Sequence, residues 1–109
     1  MRKITSKREY REVYNDNYRI SGSLFIFLLK KELSDLPEES CAIGIVVSKK
    51  VGNAVIRNKS KRRVRAFLRE NEDLLPKCCQ LVIIAKSKAG AATWSRIEAD
   101  LTKLFKSIR

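Results

Sequence analysis

The chain has 109 residues, and 24 Lys and Arg against 12 Asp and Glu give a formal net charge of +12 at pH 7. One compact domain fits that length, and a hydrophobic fraction of 44% supplies one core. These figures exclude two separately cored domains and also a basic disordered tail. A charge excess of one sign serves a polyanion, either nucleic acid or an acidic membrane surface. His is absent, which excludes His general bases, Ser-His and Cys-His nucleophiles and His metal ligands.

Ser6-Lys7-Arg8-Glu9 has the S-x-x-E form of a capping box, and Tyr10, Val13 and Tyr14 follow at helical spacing. They predict a helix over residues 6–17. A short strand over 19–23 comes next, with Gly22 marking a bulge or break before a β-branched and aromatic strand over 24–29. Residues 31–40 are polar and acidic and contain Pro37, which reads as a loop. Residues 42–47 form a second buried strand. Val51-Gly52-Asn53 then supplies a turn and an N-cap for a basic helix that runs to Glu70. Pro76 closes the following loop, residues 80–85 form another buried strand, and Ala89-Gly90-Ala91 reads as a loop. From Trp94, the spacing of Ile97, Leu101, Leu104, Phe105 and Ile108 marks a final amphipathic helix. No repeat or linker interrupts this order, so residues 1–109 are expected to form a single α+β domain.

Cys41, Cys78 and Cys79 have neither the C-x-x-C spacing of a zinc or redox site nor that of a simple disulfide pair. They open apolar runs and read as small hydrophobes in a reducing cytosol. No stretch reaches ~20 apolar residues. The N-terminus also lacks an apolar signal core. The expectation is a soluble, cytoplasmic protein.

The charge is concentrated. Lys49, Lys50, Arg57, Lys59, Lys61, Arg62, Arg63, Arg65 and Arg69 occur with no acidic residue among them. The other fifteen basic residues face all twelve acidic ones, so the excess belongs to one segment. On a helical wheel Ile56, Ser60, Val64, Phe67 and, at the margin, Leu68 form one stripe. Asn58, Lys61, Arg62, Arg65 and Arg69 share the opposite face, flanked by Lys59. Solvated helices mix signs for i,i+4 pairing, and this one does not. A helix of roughly 24 Å can follow several phosphates. Arg forks suit bidentate phosphate contacts and stacking on bases. The apolar stripe is needed for the core and carries no Trp, which favours nucleic acid over a membrane surface.

Tyr10 and Tyr14, one turn apart, either offer ring faces for stacking unpaired bases or pack the first helix on the sheet. The acidic residues Asp35, Glu38, Glu39, Glu70, Glu72 and Asp73 lie in or beside loops, without partners for a two-metal site. Lys50-Val51-Gly52-Asn53 has a single glycine and is not a G-x-x-x-x-G-K-S/T phosphate loop.

The stretch from Ser48 to Arg62, SKKVGNAVIRNKSKR, resembles the signature of the bacterial ribonuclease P protein subunit, S-K-K-V/I-G-x-A-V-x-R-N-R/K-x-K-R. The likeness extends to the aromatic first helix, the flanking strands and the C-terminal Leu-Phe helix. It implies an α-β-β-β-α-β-α sandwich, ribosomal protein S5 domain 2-like, with a left-handed β-α-β crossover where general chirality rules would give a right-handed one. It further implies a subunit of the enzyme that removes the 5′ leader from precursor tRNA. In that family the catalytic RNA holds the Mg²⁺ and performs the hydrolysis. By the same resemblance Lys49, Lys50, Arg57, Asn58, Lys59 and Arg62 would bind the RNA subunit. Tyr10, Tyr14, Lys61 and Arg65 would bind the single-stranded leader. The implied partners are ribonuclease P RNA and precursor tRNA, with no membrane and no obligate protein partner. Three positions depart from the pattern: Lys59 replaces the commoner Arg, Ser60 an aliphatic residue and Leu28 a frequent aromatic. A structural RNA-binding protein of ribosomal type, without leader preference, is the alternative.

Overall fold

A computed structural model describes residues 2–31, 41–77 and 79–108. Strand β1 (Arg2–Lys3) is followed by α1 (Lys7–Asn15), β2 (Tyr18–Ser21), β3 (Phe25–Lys31) and β4 (Cys41–Val46). Helix α2 (Ala54–Glu70), β5 (Cys79–Ala85) and α3 (Trp94–Lys106) complete the chain, with 3-10 turns at Glu72–Leu74 and Ser87–Ala91. The sheet order is β1-β4-β5-β3-β2. β1 and β5 both run parallel to β4, whereas β3 is antiparallel to β5 and to β2.

Alternation along the strands sends side chains to two cores. Phe27, Leu29, Ile43, Leu81 and Ile83 face α2 and α3, where Phe27 meets Phe105 edge-on at 4.7 Å and Phe67 stacks on Phe105 at 6.0 Å. Leu28, Ala42 and Val82 face the other way and bury Val13 of α1 together with Ile4. β5, in the middle, is buried along almost its whole length.

Several boundaries differ from expectation for local reasons. α1 stops at Asn15 because the Asn17 side chain folds back and donates to the carbonyls of Val13 (2.8 Å) and Tyr14 (3.2 Å). β2 begins at Tyr18, and β3 continues through Lys31, which was expected in the loop. The expected loop at 89–91 belongs to a 3-10 turn. The α-β-β-β-α-β-α order gains β1, too short to leave a period in the sequence. Residues 32–40, with Asp35, Glu38 and Glu39, and also Cys78, lie outside the described residues.

Two buried groups pin the scaffold. Asp100 of α3 accepts the N–H groups of Ser23, Leu24 and Phe25 at 2.9–3.1 Å, holding the β2–β3 turn. Gly22 lets it approach, since a Cβ there would stand 2.7 Å from the carboxylate. Cys41 and Cys79 are in register on β4 and β5 as buried thiols, with their sulfurs 3.4 Å apart. The Cys79 hydrogen bond holds the Cys41 thiol below its ordinary value against the opposing effect of burial. Sequence spacing did not foresee this pairing, because it arises from strand order.

Candidate nucleic-acid interface

The Asn53 side chain accepts the Ile56 N–H at 3.0 Å and fixes the start of α2. Buried Ser60, Val64, Phe67 and Leu68 lock the inner face to the sheet. The Ser60 hydroxyl donates to the Ile56 carbonyl at 3.0 Å, so the polar break in the apolar stripe is satisfied within the helix. With that face fixed, Asn58, Lys59, Arg62, Arg65 and Arg69 are exposed and Lys61 is half-buried. Lys49 and Lys50 are exposed in the turn that leads in, closed by Val51 N–H donating to the Ser48 carbonyl at 3.1 Å.

Two arginines of the cluster behave differently. Arg57 is half-buried, and its Nε is shielded from solvent without a hydrogen-bond partner among the described residues. Arg63 donates to the Ala92 carbonyl at 2.8 Å and so ties α2 to the segment before α3. The ion pairs Arg2–Glu9 (2.8 Å) and Arg8–Glu12 (3.5 Å) lie near the N-terminus. Among the described residues, neither uses a cation of α2.

Helix α1 brings the aromatic rings. Ser6 Oγ accepts the Glu9 N–H at 3.1 Å, and the Glu9 carboxylate accepts from Arg2 (3.1 Å) and from Gln80 (2.8 Å). α1 is thereby fixed to β1 and β5. Burial pushes the Glu9 carboxyl up, but the Arg2 and Gln80 hydrogen bonds and the Arg2 charge outweigh it and hold it below its ordinary value. Val13 is buried, Tyr10 half-buried and Tyr14 46% exposed. The Tyr10 ring lies against Gly44, where a Cβ would stand 2.6 Å from a ring carbon. Burial, with Tyr14 and Glu9 nearby, pushes the Tyr10 phenol up and keeps it protonated.

Two hollows adjoin Tyr10. One, of about 330 Å³, runs along the outer edge of β4 and brings Tyr10 together with Lys61 and Arg65. The other, of about 430 Å³, is an open surface depression lined by Lys7, Tyr10, Arg11, Tyr14 and Val46. The four expected leader residues thus divide between two depressions that share Tyr10. Lys49, Lys50, Arg57, Asn58, Lys59 and Arg62 line neither. Leu28 is buried with Val13 and Val82 and offers no stacking surface. Sequence reasoning missed Lys3, Lys7 and Arg11. The interleaving of Lys7 and Arg11 with Tyr10 and Tyr14 at i,i+4 was a usable signal. Lys3 reaches the site only through the parallel pairing of β1.

Among the described residues there is no group of three or more His, Cys, Asp or Glu side chains able to hold a metal ion. Among the same residues no helix is long and apolar enough to cross a membrane.

Comparison with known proteins shows the family. A family model described as Ribonuclease P matches residues 1–109. The ribonuclease P protein component of Desulfosudis oleivorans is 36% identical over 103 residues, 94% of this chain and 82% of that protein. That of Halalkalibacterium halodurans is 32% identical over 108 residues, 98% of this chain and 87% of its own. The ribonuclease P protein structure from Thermotoga maritima superposes with a TM-score of 0.86 at 26% identity, covering 100% of this chain and 99% of that one. With signature, fold and relatives in agreement, the chain belongs to the ribonuclease P protein family, the protein component of the tRNA-processing ribonucleoprotein.

Proposed function

We propose that this subunit binds the catalytic RNA through the outer face of α2 and its leading turn, and grips the single-stranded 5′ leader of precursor tRNA beside α1. Lys49, Lys50, Arg57, Asn58, Lys59 and Arg62 contact the RNA subunit in this reading, and Tyr10, Tyr14, Lys61 and Arg65 contact the leader. The observation that carries it is the junction of two surfaces. A cationic helix face that enters no described ion pair stands beside an aromatic residue that lines two hollows. Phosphates satisfy the first surface, and unstacked bases fit the second.

The chain supplies charge, position and stacking surface. In this reading the Mg²⁺ ion and the hydrolytic step belong to the catalytic RNA, as the family resemblance implies, and this chain's residues bind and position. Holding the leader adds affinity for precursor over mature tRNA. Cations close to the substrate phosphates lower their repulsion and hence the Mg²⁺ requirement.

The test compares leader-bearing and mature tRNA binding to the holoenzyme across a salt series. The wild type prefers the precursor. Arg65→Ala reduces that preference and flattens the salt dependence by up to about one unit of slope. Equal binding of precursor and mature tRNA by the wild type would refute the leader assignment.

A further inference from the structure

Cys41 and Cys79 line neither hollow, yet they form a close pair of thiols. They open β4 and β5 and face each other at the first position of the parallel register, Cys41↔Cys79. Neighbouring strands lie about 4.8 Å apart. A disulfide spans Cα atoms roughly 4.4–6.8 Å apart, so the strand spacing suits one. The sulfurs already touch at 3.4 Å. Both side chains sit in the core that also holds Val64, Phe67 and Leu68 of α2, at 4% and 1% exposure. Bond formation therefore needs rotation of two side chains, with the pairing from Cys41↔Cys79 to Val46↔Ile84 left in place.

The surroundings of the pair favour two-electron oxidation. The Cys79 hydrogen bond outweighs burial and holds the Cys41 thiol below its ordinary value. This enriches the Cys41 thiolate, the form that attacks a peroxide. The Cys79 thiol has a second acceptor in the Pro76 carbonyl at 3.7 Å. Cys41 is thus the nucleophile, and Cys79 is the thiol in reach of its oxidised product. A site this enclosed admits a small hydroperoxide rather than a bulky disulfide. An isolated cysteine proceeds through sulfenic to sulfinic and sulfonic acids, whereas a neighbouring thiol captures the sulfenic acid as a disulfide.

We propose that Cys41 and Cys79 form a hydroperoxide-reactive dithiol whose disulfide braces the β4–α2–β5 crossover. The Cys41 thiolate attacks one peroxide oxygen, the O–O bond breaks, and the other oxygen leaves and is protonated to water or an alcohol. The Cys79 sulfur then attacks the sulfenic sulfur of Cys41. The S–O bond breaks, and the departing hydroxide takes up the Cys79 proton as water. Two thiols together lose two electrons, which the peroxide gains. The new bond closes a loop between residues thirty-eight apart in sequence, and that loop contains the whole of α2. It restricts the unfolded chain and leaves the native pairing as it is. The oxidised form therefore keeps the cationic face of α2 and melts at a higher temperature, and a dithiol reductant reopens the bond.

The test treats the folded Cys78→Ser variant of the chain with hydrogen peroxide, since Cys78 adjoins Cys79 and would blur the mapping. The intact mass is expected to fall by two hydrogens, with a peptide map that links Cys41 to Cys79. The melting temperature is expected to rise by on the order of 10 °C and to return with dithiothreitol. In the same background Cys79→Ala should instead gain oxygen at Cys41, trapped at the first stage by dimedone as a sulfenic acid adduct. Cys41→Ala, a second variant should Cys79→Ala fail to fold, should show neither the link nor the rise. Holoenzyme reconstituted with the oxidised chain should cleave precursor tRNA at the rate of the reduced one. Oxygen added without a link, a link that forms only in denaturant, or an unchanged melting temperature would overturn the proposal. So would loss of cleavage on oxidation that dithiothreitol restores.

Discussion

At the scale of single residues, Gly44 seats Tyr10 while Asp100 and Glu9 pin the scaffold around it. Gly44 gives Tyr10 its place, and a methyl group there would collide with the ring at 2.6 Å. Gly44→Ala therefore displaces Tyr10, and the expected outcome is a several-fold loss of leader-dependent affinity with mature tRNA binding unchanged. Asp100 satisfies three backbone donors at once. Asp100→Ala strands them and lowers stability by on the order of 3 kcal/mol in urea denaturation. A loss under about 1 kcal/mol would show that the turn finds other acceptors. Glu9 titrates in the native state below its ordinary value of 4.5. A carboxylate depressed in this way contributes stability that is present above the unfolded value and lost as pH falls through the folded one. Stability should thus decline as pH drops below about 4.5, and Glu9→Gln should flatten that limb of the profile.

At the scale of elements, the proposed reading divides the cations of α2 between two duties, and the division is measurable. Arg62 is exposed and enters no described ion pair, so Arg62→Ala should leave stability within about 0.5 kcal/mol. The same change should reduce the salt slope of binding to the catalytic RNA by about 0.7–0.9. Arg63 holds the Ala92 carbonyl, so Arg63→Ala should do the reverse, lowering the melting temperature with little change in slope. Equal effects of the two variants on the slope would contradict the division. α2 was legible in the sequence because its cap, apolar stripe and charged face all lie within consecutive residues from Asn53 to Glu70. Its use of Arg63 was not, since the Ala92 carbonyl is twenty-nine residues away. The same distinction explains α1. Its start could be read from Ser6 and Glu9, whereas its end depended on Asn17 turning back onto the helix.

At the scale of the molecule, the sheet order places β1 beside β4, and this builds the edge hollow from Lys3, Tyr10, Ile45, Lys61 and Arg65. No local pattern announces that assembly, because it comes from parallel pairing between strands about forty residues apart. The excess charge of the chain is concentrated in α2 and the turn that leads into it. The fold adds that this segment stands on one side of an aromatic residue lining two hollows, which is what the proposed single-strand reading rests on. The family signature supplied the RNA partner, and the geometry supports a division between docking on α2 and leader contact beside α1. The most direct test is precursor-tRNA cleavage by the cognate catalytic RNA at low Mg²⁺, with and without this protein. Marked stimulation by the protein, lost when the leader is trimmed away from the binding region, is the expected result. Cleavage at the same rate with and without the protein would contradict the account.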